Sequence, residues 1–213
     1  MSGIFFRCAL LMGALILSQI AQAQQEPRPL GVDLAVDFTA ERAKIAATDC
    51  GCFWMQGGSI NGAVAAFRGL SVVASMTGER ASEVAPGVDV NKIDFMAGPR
   101  YTLYTTRWTN RWLGSQRGTN VFGEALFGEA HGFSSLFPTP GGGSKSSANS
   151  LSMQFGGGLN LGLSKGFGIR ALEVDYVRTT LPNGVGNLQN DLRLSIGVSY
   201  HFERGGAGSS ARP

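Results

Sequence analysis

The sequence is poor in charged residues, in cysteine and in long hydrophobic runs. Asp, Glu, Lys and Arg make up 15% of its 213 residues, the formal net charge is +3, and there are 3 cysteines. Because soluble domains contain about 25% charged residues, this composition disfavours a charged helical bundle or a coiled coil. The positive charge is too small and too scattered for a nucleic-acid-binding module. Glycine, with 31 residues, is about twice as frequent as in an average protein, which favours a mostly β fold.

The one long apolar run lies at the N-terminus and is typical of a secretion signal. Arg7 precedes an apolar stretch over residues 8–20, and residues 21–23 (Ala-Gln-Ala) fit the small residues required at a cleavage site. A transmembrane anchor would need about 20 apolar residues, whereas polar residues already occur from Ser18 onward. The sequence therefore predicts a signal peptide over residues 1–23 that is cleaved from the mature chain.

The mature chain alternates between apolar and polar residues with a period of two. In residues 31–42 the even positions from 32 to 40 are apolar, whereas carboxylates occupy three of the odd positions. This period places successive side chains on opposite faces of a β-strand. Seven further segments show the same alternation. It is weakest over residues 59–67 and 119–131, where Phe122 and Leu126 obscure the phase of the second segment.

The length and number of these segments distinguish a soluble barrel from a membrane barrel. They span roughly 9–13 residues, whereas strands of soluble proteins have about 5–6 and tilted transmembrane strands about 9–11. The sequence therefore predicts an all-β fold, an eight-stranded antiparallel up-and-down transmembrane β-barrel over residues 31–202. We expect a short periplasmic segment over 24–30 and a disordered C-terminal extension over 203–213. A soluble lipocalin-like barrel is the alternative, with its apolar face turned inward.

The predicted connections alternate in length, as in outer-membrane barrels with short periplasmic turns and long outer loops. Long connections are predicted over residues 43–58, 79–92 and 131–149, and a short one at 68–69. The connection over 104–118 is too long for a tight turn. Its arginine and tryptophan residues indicate a position at a membrane interface.

The last strand carries a motif of outer-membrane proteins. Its alternating apolar residues end on Tyr200-x-Phe202, which resembles the terminal β-signal of bacterial outer-membrane proteins. Segments 95–101, 125–131 and 156–160 are also similar to porin-like barrel proteins of the acidobacterial type. The chain as a whole resembles the small outer-membrane β-barrel family, of the OmpA and OmpX type.

This resemblance implies a protein of the Gram-negative outer membrane that has a structural or surface-interaction role and is not an enzyme. The implied partners are outer-membrane lipids and the barrel-assembly machinery, together with an unknown partner of the loops. We expect a monomer with no nucleic acid, no cofactor and no metal site. A narrow porin-like channel for small solutes is the alternative function, and a lipid-modifying outer-membrane enzyme is a more distant one.

The polar residues of the predicted strands face the barrel interior. An eight-stranded barrel is just wide enough for side chains to fill it. Because an isolated buried ion is costly, opposite charges inside should pair, and we expect an interior plugged by salt bridges. The predicted lumen charge network comprises Asp33, Asp37, Glu41, Asp94, Arg100, Glu124, Glu173, Asp175 and Arg193, with Arg170 as a further candidate.

Two other features could carry chemistry. Cys50 and Cys52, in the first outer loop, could form a strained local disulfide in an oxidising compartment, or could be free or intermolecularly paired thiols. Two soft ligands alone disfavour a metal site there. His131 lies near Glu129 and several loop serines, but a catalytic triad requires these groups to touch one another. We therefore interpret His131 as a histidine at the barrel rim.

Overall fold

The computed structural model describes residues 31–44, 52–85, 88–110, 115–139, 141–164, 166–183 and 186–202. They form eight strands: β1 Val32–Lys44, β2 Cys52–Phe67, β3 Leu70–Ala85, β4 Val88–Asn110, β5 Ser115–Pro138, β6 Ser144–Gly162, β7 Phe167–Thr179 and β8 Gln189–Phe202. Each strand pairs antiparallel with the next, and β8 pairs with β1, which closes the sheet. The described residues contain no helix long and apolar enough to cross a membrane. The predicted eight-stranded antiparallel up-and-down β-barrel is confirmed.

Some of the predictions concern residues that the structure does not describe. The signal peptide over 1–23, the segment over 24–30 and the extension over 203–213 lie outside the described residues, as does Cys50. They stay predictions from the sequence.

The two ends of the barrel differ in their connections. Val32 and Phe202 face each other in the β1–β8 register at one end, called the terminal end here. The tight turn at Arg68 and Gly69, both with positive φ, lies at the same end. In outer-membrane barrels the short turns face the periplasm. The strand ends that flank residues 45–51, 86–87, 139–143 and 180–188 lie at the opposite end, called the loop end.

At the loop end the strands are longer than the sequence predicts. β3 continues to Ala85 and β4 begins at Val88, so the predicted loop over 79–92 is wrong. The predicted loops over 43–58 and 131–149 are wrong in the same way, because strands occupy much of both. Beyond a bilayer both faces of a strand meet polar surroundings, and the outward face no longer has to be apolar. The alternation that identifies a strand therefore stops before the strand does.

At the terminal end β4 and β5 form a ribbon where a connection over 104–118 is predicted. The pairing of the two strands continues as far as Asn110 and Ser115. Their other neighbours stop earlier, since β3 pairs with β4 only as far as Tyr101 and β6 with β5 only from Thr119. The predicted connection is thus mostly a hairpin that extends past the barrel, and its position at a membrane interface stays a prediction.

The outward face of the barrel is apolar. Phe38, Ile60, Phe95 and Ile196, from four different strands, each expose more than half of their surface. Hydrocarbon requires such a face, together with a closed sheet that leaves no backbone group unpaired. The faces are the reverse of those in a soluble lipocalin-like barrel. Exposed aromatic side chains lie toward both ends, as in the girdles of membrane barrels: Trp54, Tyr101, Tyr176, Tyr200 and Phe202.

The inward faces of the sheet are mostly polar but include two apolar clusters, one of which, formed by Ala43, Met55 and Ala81, lies at the loop end. Ala63, Val73, Met96 and Leu126, from β2 to β5, pack together inside the barrel. Leu126 and Phe122 both point inward, with exposed fractions of 0% and 2%. This explains why β5 showed no clear alternation: its lumen-facing positions include large apolar side chains.

Glycine is required where β4 and β5 approach each other closely. A β-carbon at Gly98 would overlap the carbonyl oxygen of Ala125, and one at Gly128 would overlap that of Phe95. Glycine in a strand commonly marks such a close backbone approach. Part of the glycine excess in the sequence therefore has a packing cause in the narrow barrel.

Candidate functional site

The barrel interior contains two clusters of charged side chains, and every member is at most 8% exposed. Asp37 and Glu41 show how a strand positions these side chains. They lie four residues apart on β1, so both point into the barrel, Asp37 nearer the terminal end and Glu41 nearer the loop end. The loop-end cluster consists of Glu41, Glu79, Lys92, Asp94, Asp191 and Arg193. The terminal-end cluster consists of Asp37, Arg100, Glu124, Arg170, Glu173 and Asp175.

Arg193, on β8, connects the walls of the barrel within the loop-end cluster. Its Nη2 atom lies 2.8 Å from Oε2 of Glu41 and 2.9 Å from Oε2 of Glu79, and it also pairs with Asp94. Its Nη1 atom donates a hydrogen bond of 3.0 Å to Oε1 of Gln154. These partners belong to β1, β3, β4 and β6. Because β4 lies opposite β8 in an eight-stranded barrel, the guanidinium group bridges the lumen.

Lys92, on β4, is the second cation of the loop-end cluster. Its ammonium group pairs with Glu41 and lies 3.5 Å from Oε2 of Glu79 and 3.6 Å from Oδ2 of Asp94. Three carboxylates from three strands therefore surround one ammonium group. Asp191 is buried in the same cluster, and its Oδ1 atom has no hydrogen-bond partner among the described residues.

Arg170, on β7, connects the terminal-end cluster to β1 and β6. Its Nη1 atom lies 2.8 Å from Oδ2 of Asp37 and 2.7 Å from Oε2 of Glu173. Its Nε atom donates a hydrogen bond of 3.3 Å to Oδ1 of Asn160. Asn61 donates a further hydrogen bond of 2.7 Å to Oδ2 of Asp37. Arg170 thus pairs with the carboxylates of Asp37 and Glu173, and the side-chain amide of Asn61 further stabilises Asp37.

Arg100 and Glu124 form the second ion pair of the terminal-end cluster, directly opposite each other on β4 and β5. The Nη2 and Nε atoms of Arg100 lie 2.6 and 2.7 Å from Oε2 of Glu124. The guanidinium carbons of Arg100 and Arg170 lie 4.3 and 5.2 Å from the ring centroid of Phe122, within the range of cation–π attraction. Gln154 donates a hydrogen bond of 3.0 Å to Oε1 of Glu124. Since Gln154 also accepts from Arg193, it links the two clusters.

Of the lumen network predicted from the sequence, all residues except Asp33 lie in these two clusters, and so does the further candidate Arg170. Asp33 lies at the terminal end, where its Oδ1 atom is 2.6 Å from Nδ1 of His201. The side chains of Asp33 and His201 are 46% and 44% exposed. The pair therefore sits at the mouth of the barrel and not within the buried network.

Four buried members of the network are not predicted from the sequence. Glu79 and Lys92 lie in the predicted loop over 79–92, and Asp191 directly precedes Leu192, the first apolar residue of the last alternating segment. Gln154 lies at a polar position of its alternating segment, but it carries no charge and so is not predicted as part of a charge network. The period of two could have identified Glu79 and Lys92, since they lie two residues from the inward-facing Thr77 and Asp94.

The buried network contains more acid than base. The two clusters together hold eight carboxylates and four basic groups, with four carboxylates and two basic groups in each. Removing charges from water is costly unless each is compensated by an opposite charge or by hydrogen bonds. The excess carboxylates therefore need protons or additional cations.

A cavity of about 460 Å³ opens at the terminal end of the barrel. Asp33 and His201 lie at its mouth, and Arg100 and Arg170 line it more deeply. No residue of the loop-end cluster lines this cavity. Within the described residues, the cavity therefore reaches the terminal-end cluster but does not continue to the loop end.

The other candidate residues lie on the outer surface. Cys52 begins β2, is exposed and is bonded to no other cysteine among the described residues; because its proposed partner Cys50 lies outside them, the disulfide stays a prediction. His131 Nδ1 contacts Oδ1 of Asn149, the residue opposite it on β6. The His131 ring stacks on Phe133 with centroids 5.9 Å apart. His131 thus takes part in surface contacts between neighbouring strands and along its own strand.

Comparison with known proteins identifies the fold. Neither a protein-family model nor a curated protein matches the sequence. Neisserial surface protein A is a structural match with a TM-score of 0.52 and 16% identity, covering 80% of this chain and 97% of that one. Ail, the attachment invasion locus protein of Yersinia pestis, has a TM-score of 0.47 and 16% identity, covering 83% and 100%. The N-terminal β-barrel domain of Pseudomonas aeruginosa OprF has a TM-score of 0.42 and 13% identity, covering 80% and 97%.

The closed eight-stranded sheet, the apolar outward face and the charged interior define a small β-barrel of the outer-membrane type. The structural match to Neisserial surface protein A agrees with this class. The resemblance of the sequence to small outer-membrane β-barrels is therefore confirmed at the level of the fold.

Proposed function

We propose that this protein is an integral barrel of the bacterial outer membrane, with a structural or surface-interaction role and an interior that does not conduct solutes. The observation that carries this proposal is the Arg193 guanidinium group, which connects β8 with β1, β3, β4 and β6 across the lumen. A solute crossing the barrel would have to displace these charged contacts.

The terminal-end cluster supports the same proposal. Arg170 and Arg100 form a second level of ion pairs beneath Arg193, and Gln154 connects the two levels. The cavity at the terminal end stops short of the loop-end cluster. A continuous aqueous path would therefore require rearrangement at more than one level.

The hairpin of β5 and β6 supports a role at the cell surface. The pairing of β6 with β7 stops at Ser152 and Thr179, so residues 144–150 have no strand on that side among the described residues. This segment is largely exposed, rich in serine, and carries a single charged residue, Lys145. Exposed segments held on a rigid scaffold are common positions for binding partners.

We further propose that the protein works as a monomer without catalysis. The outward apolar face would contact outer-membrane lipids, and the barrel-assembly machinery would recognise the last strand during insertion. Among the described residues the Nδ1 atom of His131 contacts an asparagine, Asn149, which is not the carboxylate that orients a catalytic histidine.

Planar-bilayer recording tests whether the interior is closed. We expect the purified protein to give no steady single-channel steps after reconstitution, because its ion pairs cross the lumen at two levels. The amount of inserted protein should be measured in the same membranes. Arg80→Ala is the matched control, since it removes an arginine from the exposed Arg80–Asp89 pair, and it should also be silent.

Steady and reproducible single-channel steps from the unmodified protein would contradict the closed interior. They would favour the alternative function, a narrow channel for small solutes.

A further inference from the structure

The interior contains two trios of carboxylates with similar geometry. One trio is Glu41, Glu79 and Asp94 in the loop-end cluster, and the other is Glu124, Glu173 and Asp175 in the terminal-end cluster. In each trio every residue offers an oxygen within 4.8 Å of the others, and all six residues are buried. Such spacing brings negative charges close together, so each trio needs positive charge near its centre.

The loop-end trio contains that positive charge. The ammonium group of Lys92 pairs with Glu41 and lies within 3.6 Å of both Glu79 and Asp94. Arg193 pairs with the same three carboxylates. Every carboxylate of this trio therefore has at least one cationic partner.

The terminal-end trio has the same number of cationic neighbours but fewer ion-pair contacts. Arg100 pairs with Glu124 and Arg170 with Glu173, but no lysine belongs to this cluster. With Asp37 included, four carboxylates face two guanidinium groups, which leaves a charge of −2 if all are ionised, the same balance as in the loop-end cluster with Asp191 included. Among the described residues, however, no cation here contacts all three carboxylates of the trio, as Lys92 and Arg193 both do in the loop-end trio.

Asp175 is the unpartnered member of this trio. It is 1% exposed, and its Oδ1 atom has no hydrogen-bond partner among the described residues. No described side chain forms an ion pair with it within 4.0 Å, although it points toward Glu124 and Glu173. A buried ionised carboxylate without a partner is energetically unfavourable, so Asp175 needs either a proton or a cation.

We propose that Glu124, Glu173 and Asp175 bind a divalent cation of the oxygen-preferring class, such as Mg²⁺, Ca²⁺ or Mn²⁺. Carboxylate oxygens are the preferred ligands of these hard cations. One divalent ion would balance the charge of −2 in the terminal-end cluster. No metal site was expected from the sequence, because the three ligands lie on β5 and β7, and it is the register of both strands with β6 that places Glu124 and Asp175 on either side of Gly156.

The cavity at the terminal end offers a route to this site. Arg100 and Arg170 line the cavity; Arg100 pairs with Glu124 and lies 4.0 Å from Glu173, and Arg170 pairs with Glu173. An ion arriving from this end must pass two guanidinium groups, so we expect slow exchange and efficient loading during folding. The test should therefore supply the metal while the protein folds.

Mn²⁺ binding to the full chain, followed by electron paramagnetic resonance, tests the site. The protein is refolded with Mn²⁺ in detergent micelles free of lipopolysaccharide, and loosely bound metal is then removed. We expect one tightly bound Mn²⁺ per barrel, displaced by Mg²⁺ or Ca²⁺. Asp175→Asn should weaken binding by about tenfold or more, because it removes a charged ligand. Asp191→Asn, a buried carboxylate of the loop-end cluster, is the matched control and should bind like the unmodified protein.

Glu173→Gln provides a second variant in case Asp175→Asn does not fold, and it should weaken binding in the same way. The proposal is overturned if the unmodified protein retains no more Mn²⁺ than empty micelles, which would mean that protons neutralise the cluster. It is equally overturned if the folded ligand variants bind Mn²⁺ as tightly as the Asp191→Asn control.

Discussion

Replacing Arg193 with methionine is expected to destabilise the folded barrel by about 3–5 kcal/mol, the usual cost of removing one partner from a buried ion pair. Methionine has a similar length but no charge. Glu41, Glu79 and Asp94 would lose their contacts with the guanidinium group and would depend on Lys92 alone. The cost arises mainly from the carboxylates left without compensation.

Denaturant unfolding of the refolded protein in detergent measures this effect. The control is Arg80→Met, which breaks an ion pair whose side chains are 62% and 36% exposed. Exposed pairs contribute about 1 kcal/mol or less, so the control should stay close to the unmodified protein. If Arg193→Met is as stable as Arg80→Met, the cross-lumen network does not hold the barrel together.

Placing an arginine on the outward face at Ile196 is expected to cost about 2–4 kcal/mol, as for a charge at the bilayer midplane. Ile196 is 53% exposed, lies in the middle of β8 and faces Phe38 across the β1–β8 register. In a soluble protein, an arginine at a half-exposed position would be nearly neutral. The substitution therefore tests whether lipid surrounds this face.

Leu192→Arg is the matched control for the depth of this position. Leu192 is also exposed, faces the same side of β8, and lies about 13 Å further along the strand, toward the loop end. The penalty for a charge falls toward the membrane interface, so Leu192→Arg should cost less than Ile196→Arg. Unfolding in lipid bilayers compares the two variants. Equal and small costs would argue that the face is not in hydrocarbon.

The sequence predicts the fold well because one physical constraint repeats along the chain. A closed sheet in hydrocarbon must be apolar outside, and a narrow lumen holds the polar side chains, so every strand shows the same period of two. β1 and β8 illustrate this. Their even-numbered residues, such as Val36 on β1 and Ile196 on β8, face outward as predicted. The pattern weakens in β5, where Phe122 and Leu126 face inward beside polar neighbours.

The contacts of the side chains inside the barrel are less predictable from the sequence than the strands that form it. The direction in which Asp37, Glu41 or Arg193 points follows from the alternation, but the partner of each charge depends on the register of all the strands. Arg193 contacts residues on strands that are distant in sequence, and Asp175 lies near Glu124 because both stand opposite Gly156 of β6. The sequence does not predict that Lys92 belongs to the loop-end cluster, because the alternation of apolar and polar residues ends where the bilayer would end, before the strand does.

Membrane fractionation of cells that produce the full chain tests the central claim most directly. We predict that the protein is found in the outer-membrane fraction and stays there after extraction with urea, because its apolar face is surrounded by lipid. Recovery as a soluble periplasmic protein would contradict the claim that this barrel spans a membrane.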